Sequence, residues 1–177
     1  MQQYHDAEWG IPVHDDQKLL EMLTLEGAQA GLSWLTILKR RDGYRKAFNN
    51  FDPAKISKYT GEKKEELMSN EGIIRNKLKI EAAVKNAKAF LAIQKEFKTF
   101  DSYIWQFVSH TPLINRRKSM KDIPARSKES DLMSIDLKKR GFSFVGSTIC
   151  YAFMQAVGMA NDHTLDCFLH PSKMKKA

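Results

Sequence analysis

Apolar positions recur at helical spacing along almost the whole chain. Leu19, Leu20 and Leu23 do so within 18–24, a segment that Asp15 or Asp16 can cap from its N-terminal side. A second helix is expected over 32–48, with Leu35, Leu38 and nearby aromatics as its apolar face. Pro53 suits the first turn of a short helix carrying Ile56 and Tyr59, and 62–68 reads as another before Gly72 breaks the pattern. The clearest periodicity covers 76–97. There Ile80, Val84, Ala87 and Leu91 form an apolar stripe, while Lys79, Glu81, Lys85 and Lys88 occupy other positions. A short aromatic helix is expected over 102–108, then a polar connection bracketed by Pro112 and Pro124. A helix over 127–139 ended by Gly141 follows, and a final apolar helix over 145–157 that stops near Gly158. No run alternates at strand period, no long linker divides the chain, and no repeat is visible. The pattern predicts an all-α fold, with residues 1–177 forming a single domain.

Composition sharpens this picture in three ways. Hydrophobic residues make up 42% of 177, enough for a continuous core. No apolar run is long enough to span a bilayer, and the opening residues lack the basic start and apolar stretch of a secretory signal, so a cytoplasmic protein is expected. Only Cys150 and Cys167 are present, too few for a disulfide framework, and Cys150 lies in an apolar run that suits a core thiol. The 29 Lys and Arg against 21 Asp and Glu leave a formal charge of +8, which draws the chain towards polyanions. Lys39-Arg40-Arg41, the 75–79 segment, Arg116-Arg117-Lys118 and Lys138-Lys139-Arg140 all adjoin expected helices. Each cluster alone is ordinary for a solvated helix face. Their recurrence beside a normal apolar core favours nucleic acid over a membrane surface.

The run from Leu25 to Trp34 places an acid, two glycines and a tryptophan between two apolar helices. It fits a tight interhelical turn with Glu26 solvated and Trp34 in the core. It equally fits a purine pocket, where the carboxylate accepts from an amino group while a ring stacks on the base. A cationic base would gain further from both. Tyr4, Trp9 and Trp34 are the candidate pocket rings. His163 and Cys167 are four apart, so one helical turn would present nitrogen and sulfur together to a metal. The alternative is a packed histidine and a free thiol.

Several ordered strings go beyond these local patterns. They are Tyr4-His5-Asp6-Ala7-Glu8-Trp9-Gly10, the Leu25–Trp34 run, Gly72-Ile73-Ile74-Arg75-Asn76-Lys77, Lys139-Arg140-Gly141-Phe142-Ser143-Phe144-Val145-Gly146 and Asn161-Asp162-His163. With them the sequence resembles the 3-methyladenine DNA glycosylase I family across nearly its whole length. The resemblance implies a compact helical glycosylase fold of the helix-hairpin-helix superfamily, acting as a monomer on alkylated double-stranded DNA. It implies Glu26 as the catalytic-site residue that recognises the everted base, Tyr4 and Trp34 as stacking residues, and Trp9 as pocket support. Gly31 and Leu32 would enter the duplex. Gly72, Arg75, Asn76, Lys77 and Lys79 would form the backbone-binding hairpin, although the usual glycine-rich hairpin signature is altered here. His5 would join His163 and Cys167 in a structural zinc clasp, so that the terminal segments pack together. The family's fourth ligand, a cysteine upstream of the Tyr4 motif, has no counterpart in residues 1–3. His170 or water would have to stand in, which implies weakened zinc binding.

The chemistry implied by the resemblance is undemanding in acid catalysis. An N3-alkylated adenine is already cationic and leaves as a neutral base, so Glu26 is expected to recognise and stabilise rather than to transfer an obligatory proton. No lysine is marked as a Schiff-base nucleophile, and Lys77 and Lys79 suit phosphate contacts or a solvated helix face. Monofunctional hydrolysis is expected, giving free 3-methyladenine and an abasic site. The rival readings are a non-catalytic alkylated-DNA recognition module and a helical protein-interaction domain.

Overall fold

The computed structural model describes residues 1–173; the last four residues of the expected domain, 174–177, lie outside the described residues. Among the described residues ten α-helices follow one another: α1 (Gln2–Ala7), α2 (Asp16–Gln29), α3 (Trp34–Leu38), α4 (Arg41–Ala47), α5 (Pro53–Ile56), α6 (Gly61–Met68), α7 (Lys77–Phe97), α8 (Phe100–Ile104), α9 (Lys128–Lys139) and α10 (Ser147–Ala156). Among the described residues the only paired strands are β1 (Leu113–Ile114) and β2 (Ala160–Asn161), two residues each and parallel. None of the helices is long and apolar enough to cross a membrane.

Local chemistry explains most boundaries. Asp15 caps α2 by accepting from Lys18 N–H at 2.8 Å. Its neighbour Asp16 instead accepts from the N–H groups of Phe100 and Asp101, both at 2.8 Å, and so ties the start of α8 to α2. Asp52 caps α5 with Pro53 in the first turn. Asn76 and Ser127 cap α7 and α9. Leu19, Leu23 and Leu25 of α2, Ala87 and Phe90 of α7, Met133 and Leu137 of α9, and Phe153 and Met154 of α10 are all buried in one core cluster. Helix α10 packs on α9 and α2, while α7 packs on α2, α5, α6 and α8. Cys150 is fully buried there, and burial pushes its thiol up to about 12.

Three expectations need correction. The helix expected over 18–24 continues to Gln29, so Glu26 and Gly27 lie within α2 rather than in a turn. Gly27 is in close packing, because a Cβ there would meet Phe144 Cβ at 3.2 Å. The helix expected over 32–48 is two helices, broken at Arg40 (φ −105°, ψ 1°). The segment around His163 and Cys167 is a series of turns rather than a helix. It is aligned by pairing of β2 with β1 and of Thr164 with Arg117.

Helices α6 and α7, joined by 69–76, form a helix–hairpin–helix. The hairpin is clamped from behind: Asn70 Oδ1 accepts from Gly72 N–H at 2.8 Å, and Tyr44 Oη accepts from Ile74 N–H at 3.2 Å. Gly43 of α4 lies against Gly72 so closely that a Cβ on Gly43 would collide with the Gly72 carbonyl.

Candidate functional site

A cavity of about 320 Å³ is lined from α1, the end of α2, α3, α10 and the 160–167 turns. The chain brings Tyr4, Trp9, Glu26 and Trp34 together in its wall, and His5, His163 and Cys167 with them. Glu26 sits in the last turn of α2 and is 5% exposed. Burial, with no compensating donor, pushes its carboxyl up to about 8, so the neutral acid dominates in the empty cavity at neutral pH. Tyr4 is buried as well. Burial first, and then the negative charge of Glu26, push its phenol above the ordinary value. Tyr4 Oη and Trp34 Nε1 are buried without a hydrogen-bond partner among the described residues. Buried donors of that kind are rare unless a ligand takes them up. The two rings are 5.4 Å apart and tilted by 55°. They form a corner rather than parallel plates, so a flat base lying on one meets the other at an angle.

His5, His163 and Cys167 place one donor atom each within 4.8 Å of one another. Cys167 Sγ is 3.6 Å from His5 Nε2 and 3.4 Å from His163 Nδ1. Tetrahedral bonds of zinc to nitrogen and sulfur would set that separation at about 3.6 Å. The far nitrogens are held too: His163 Nε2 lies 3.1 Å from the Trp9 carbonyl, and His5 Nδ1 lies 2.7 Å from Asp6 Oδ1. Each acceptor fixes a tautomer that turns a lone pair towards the thiol, the usual outer support of a metal-bound histidine. The donor set therefore fits a metal ion with three protein ligands. His170 does not join it, because its nitrogens face Ser172 Oγ at 2.7 Å and the Asn115 carbonyl at 3.1 Å.

Two buried charge networks hold the cavity walls. Arg41 forms a fork on Glu8 at 2.7 and 2.8 Å and reaches Glu21 at 2.6 Å, which fastens the Tyr4–Trp9 segment to α2 and α4. Arg41 hydrogen bonding holds the Glu8 carboxyl below its ordinary value. On the other side, Asp162 is buried and accepts from Asn115, Arg117, Tyr151 and Gln155. Neither network was anticipated from sequence. Arg41 and Arg117 had counted towards surface basic clusters, yet each holds a buried carboxylate, while Arg140 pairs with the partly exposed Asp136 and Glu96.

In the exposed turn after α2, Gly31 takes φ +78° and Leu32 is 40% exposed. Arg75, Asn76 and Lys77 are exposed on the hairpin, with the Asn76 side chain bonded to Lys79 N–H at 3.1 Å. Gly72 lies behind them against Gly43. Lys79 departs from the expected phosphate contact: its ammonium donates to the carbonyls of Ala28 and Ala30 at 2.8 and 2.7 Å, and so closes the C-terminal end of α2. Gln29, Met120 and Gln155 also line the cavity and carried no distinguishing sequence signal beyond helical spacing.

A helix–hairpin–helix beside an aromatic cavity with a buried acid defines a helical DNA glycosylase fold. The chain belongs to the methyladenine glycosylase family, which it matches over residues 1–170. It is 51% identical over 164 residues to the DNA-3-methyladenine glycosylase of Haemophilus influenzae, covering 93% of this chain and 89% of that one. Identity to DNA-3-methyladenine glycosylase 1 of Escherichia coli is 48% over 168 residues, covering 95% and 90%. Among solved structures, a 3-methyladenine DNA glycosylase I superposes with a TM-score of 0.94 at 49% identity, over 96% of this chain and 93% of that one. The Staphylococcus aureus enzyme, described for its recognition of 3-methyladenine, gives 0.93 at 35% identity, over 99% and 92%.

Proposed function

We propose that this chain excises 3-methyladenine from double-stranded DNA by hydrolysing the N-glycosidic bond. The observation that carries the reading is the cavity itself: buried Glu26 beside two unpartnered donors, Tyr4 Oη and Trp34 Nε1, in an aromatic corner large enough for a purine. The base leaves the stack to reach it. The Glu26 carboxyl can accept from the amino group of adenine. A cationic base entering the cavity favours the carboxylate, so the acid releases its proton as the lesion is bound. The glycosidic electron pair then passes to the base and neutralises it. Water adds hydroxyl to the sugar carbon, its remaining proton goes to solvent, and an abasic site remains. No lysine lines the cavity among the described residues, which fits a monofunctional hydrolase without a Schiff-base step.

Leu32 fills the gap left by the extruded nucleotide, while Arg75, Lys77 and the N-terminal end of α7 face the phosphates. The chain works as a monomeric single domain in the cytoplasm and releases free 3-methyladenine. A structural zinc ion would be held by His5, His163 and Cys167, where it would cross-link the first and last described segments. No step of the chemistry is routed through it.

Incubation with duplex DNA carrying one defined 3-methyladenine tests the activity. Free base and an intact abasic strand are expected. Tight binding with no base released would favour a non-catalytic recognition module instead.

A further inference from the structure

The cavity wall includes a polar residue that base recognition by Glu26 leaves unused, Gln155. Gln155 lies near the end of α10, three residues after Ala152, and both line the cavity. Its amide meets Asp162 Oδ2 at 2.8 Å. Asp162 is 1% exposed and paired with Arg117 at 2.8 Å, so its oxygens only accept. The amide must therefore turn its NH₂ towards Asp162 and its Oε1 away from it. Asp162 is itself immobile, because Tyr151 Oη donates to Oδ2 at 2.6 Å while Asn115 and Arg117 donate to Oδ1 at 2.9 and 2.8 Å. No hydrogen bond reaches Gln155 Oε1 from the other described residues.

We propose that Gln155 is a specificity-determining residue, whose Oε1 accepts from the exocyclic amino group of a bound adenine and disfavours a purine with a 6-keto oxygen. The proposal rests on the cavity being the base pocket. Adenine presents an amino group where guanine and hypoxanthine present oxygen. Two amino hydrogens allow Glu26 and Gln155 to accept together. With an uncharged free base Glu26 stays neutral and discriminates poorly: a neutral carboxyl group carries both a donor and an acceptor and can turn to serve either base. Gln155 has no such freedom, since offering its NH₂ to a keto group would bring Oε1 against the Asp162 carboxylate. A keto base thus faces a fixed acceptor and leaves its own oxygen unpaired, an arrangement that buried polar sites penalise strongly.

The test compares 3-methyladenine with 3-methylhypoxanthine as free-base competitors of excision by the full chain. The parent protein should prefer the amino base by about tenfold or more. Gln155→Leu should weaken 3-methyladenine by about tenfold, leave 3-methylhypoxanthine no weaker, and so collapse the ratio. Leu132→Ala is the control, because Leu132 is exposed on α9 and does not line the cavity, and it should keep the parent ratio. An unchanged ratio in folded Gln155→Leu overturns the proposal, as does an equal collapse in Leu132→Ala. If Gln155→Leu does not fold, Glu26→Gln carries the test. With Gln155 intact it should bind 3-methyladenine more weakly yet still prefer it, and loss of that preference overturns the proposal. If neither Glu26→Gln nor Gln155→Leu alters inhibition by either base, the pocket reading itself fails and the proposal falls with it. If Glu26→Gln weakens binding while Gln155→Leu keeps the ratio, only the role of Gln155 is lost.

Discussion

Glu26 is a carboxyl group folded into an apolar wall, and its protonation links stability to pH. Its pKa is raised from 4.5 to about 8 by burial. Between those values the native state holds a proton that the unfolded state has released. Stability therefore falls as pH rises from about 4.5 to about 8, by up to roughly 1.4 kcal/mol for each unit of difference, and levels off above. Glu26→Gln carries no such proton. Its melting temperature relative to the parent should rise progressively across that window, while its excision of 3-methyladenine falls on the order of 1–3 kcal/mol in barrier. Melting curves at several pH values check the first expectation and single-turnover excision the second. A pH-independent difference in melting would mean that Glu26 is ionised in the free protein. The identity of this acid was legible in the sequence only through the Leu25–Trp34 run. Whether it was solvated or buried was not, because α2 had to run on to Gln29 before Glu26 could turn inward.

Leu32 sits in the turn after α2, and Gly43 in the contact between α4 and the hairpin. Leu32 is half exposed, so Leu32→Ala should leave stability within about 0.5 kcal/mol of the parent. Loss of an apolar wedge should still slow lesion-duplex processing by on the order of tenfold, with free 3-methyladenine binding unaffected. Equal losses in both assays would place the side chain in the pocket rather than in the duplex. Gly43→Ala acts from behind the hairpin. Its new Cβ would collide with the Gly72 carbonyl and push the hairpin off α4, for a stability loss of roughly 1–3 kcal/mol. Urea unfolding and duplex affinity should both reveal it. Duplex affinity should drop further than free-base affinity, and parent-like values in both would show that the contact relaxes freely. The long α7 was plain from its apolar stripe and the Asn76 cap, and α9 from Ser127 and Gly141. The 32–48 segment was not, since no glycine or proline marks its break. That break belongs to a tertiary bond set, in which Arg41 is held inward by Glu8 and Glu21.

Across the molecule, the first and last described segments meet at His5, His163 and Cys167, far apart in sequence and within 4.8 Å of one another in donor atoms. Protein purified from zinc-replete cells should contain zinc, and chelation should lower its melting temperature by several degrees, since a metal bound only to the native state stabilises it by mass action. Single-turnover excision at a temperature where the chelated protein remains folded should change little. Absence of zinc by elemental analysis, or loss of the chemical step without loss of folding, would each overturn the clasp assigned here. Helical class, apolar core, most helix caps and the family motifs were encoded locally, because caps and 3.6-residue periodicity are properties of neighbouring positions in the chain. The direction of the charges was not. Arg41, Lys79 and Arg117 look alike with surface lysines and arginines in the sequence, yet each is tied to a buried carboxylate or a helix-end carbonyl. Only packing decides whether a cation faces a phosphate or a carboxylate, because that choice depends on which partner desolvation places within hydrogen-bond reach.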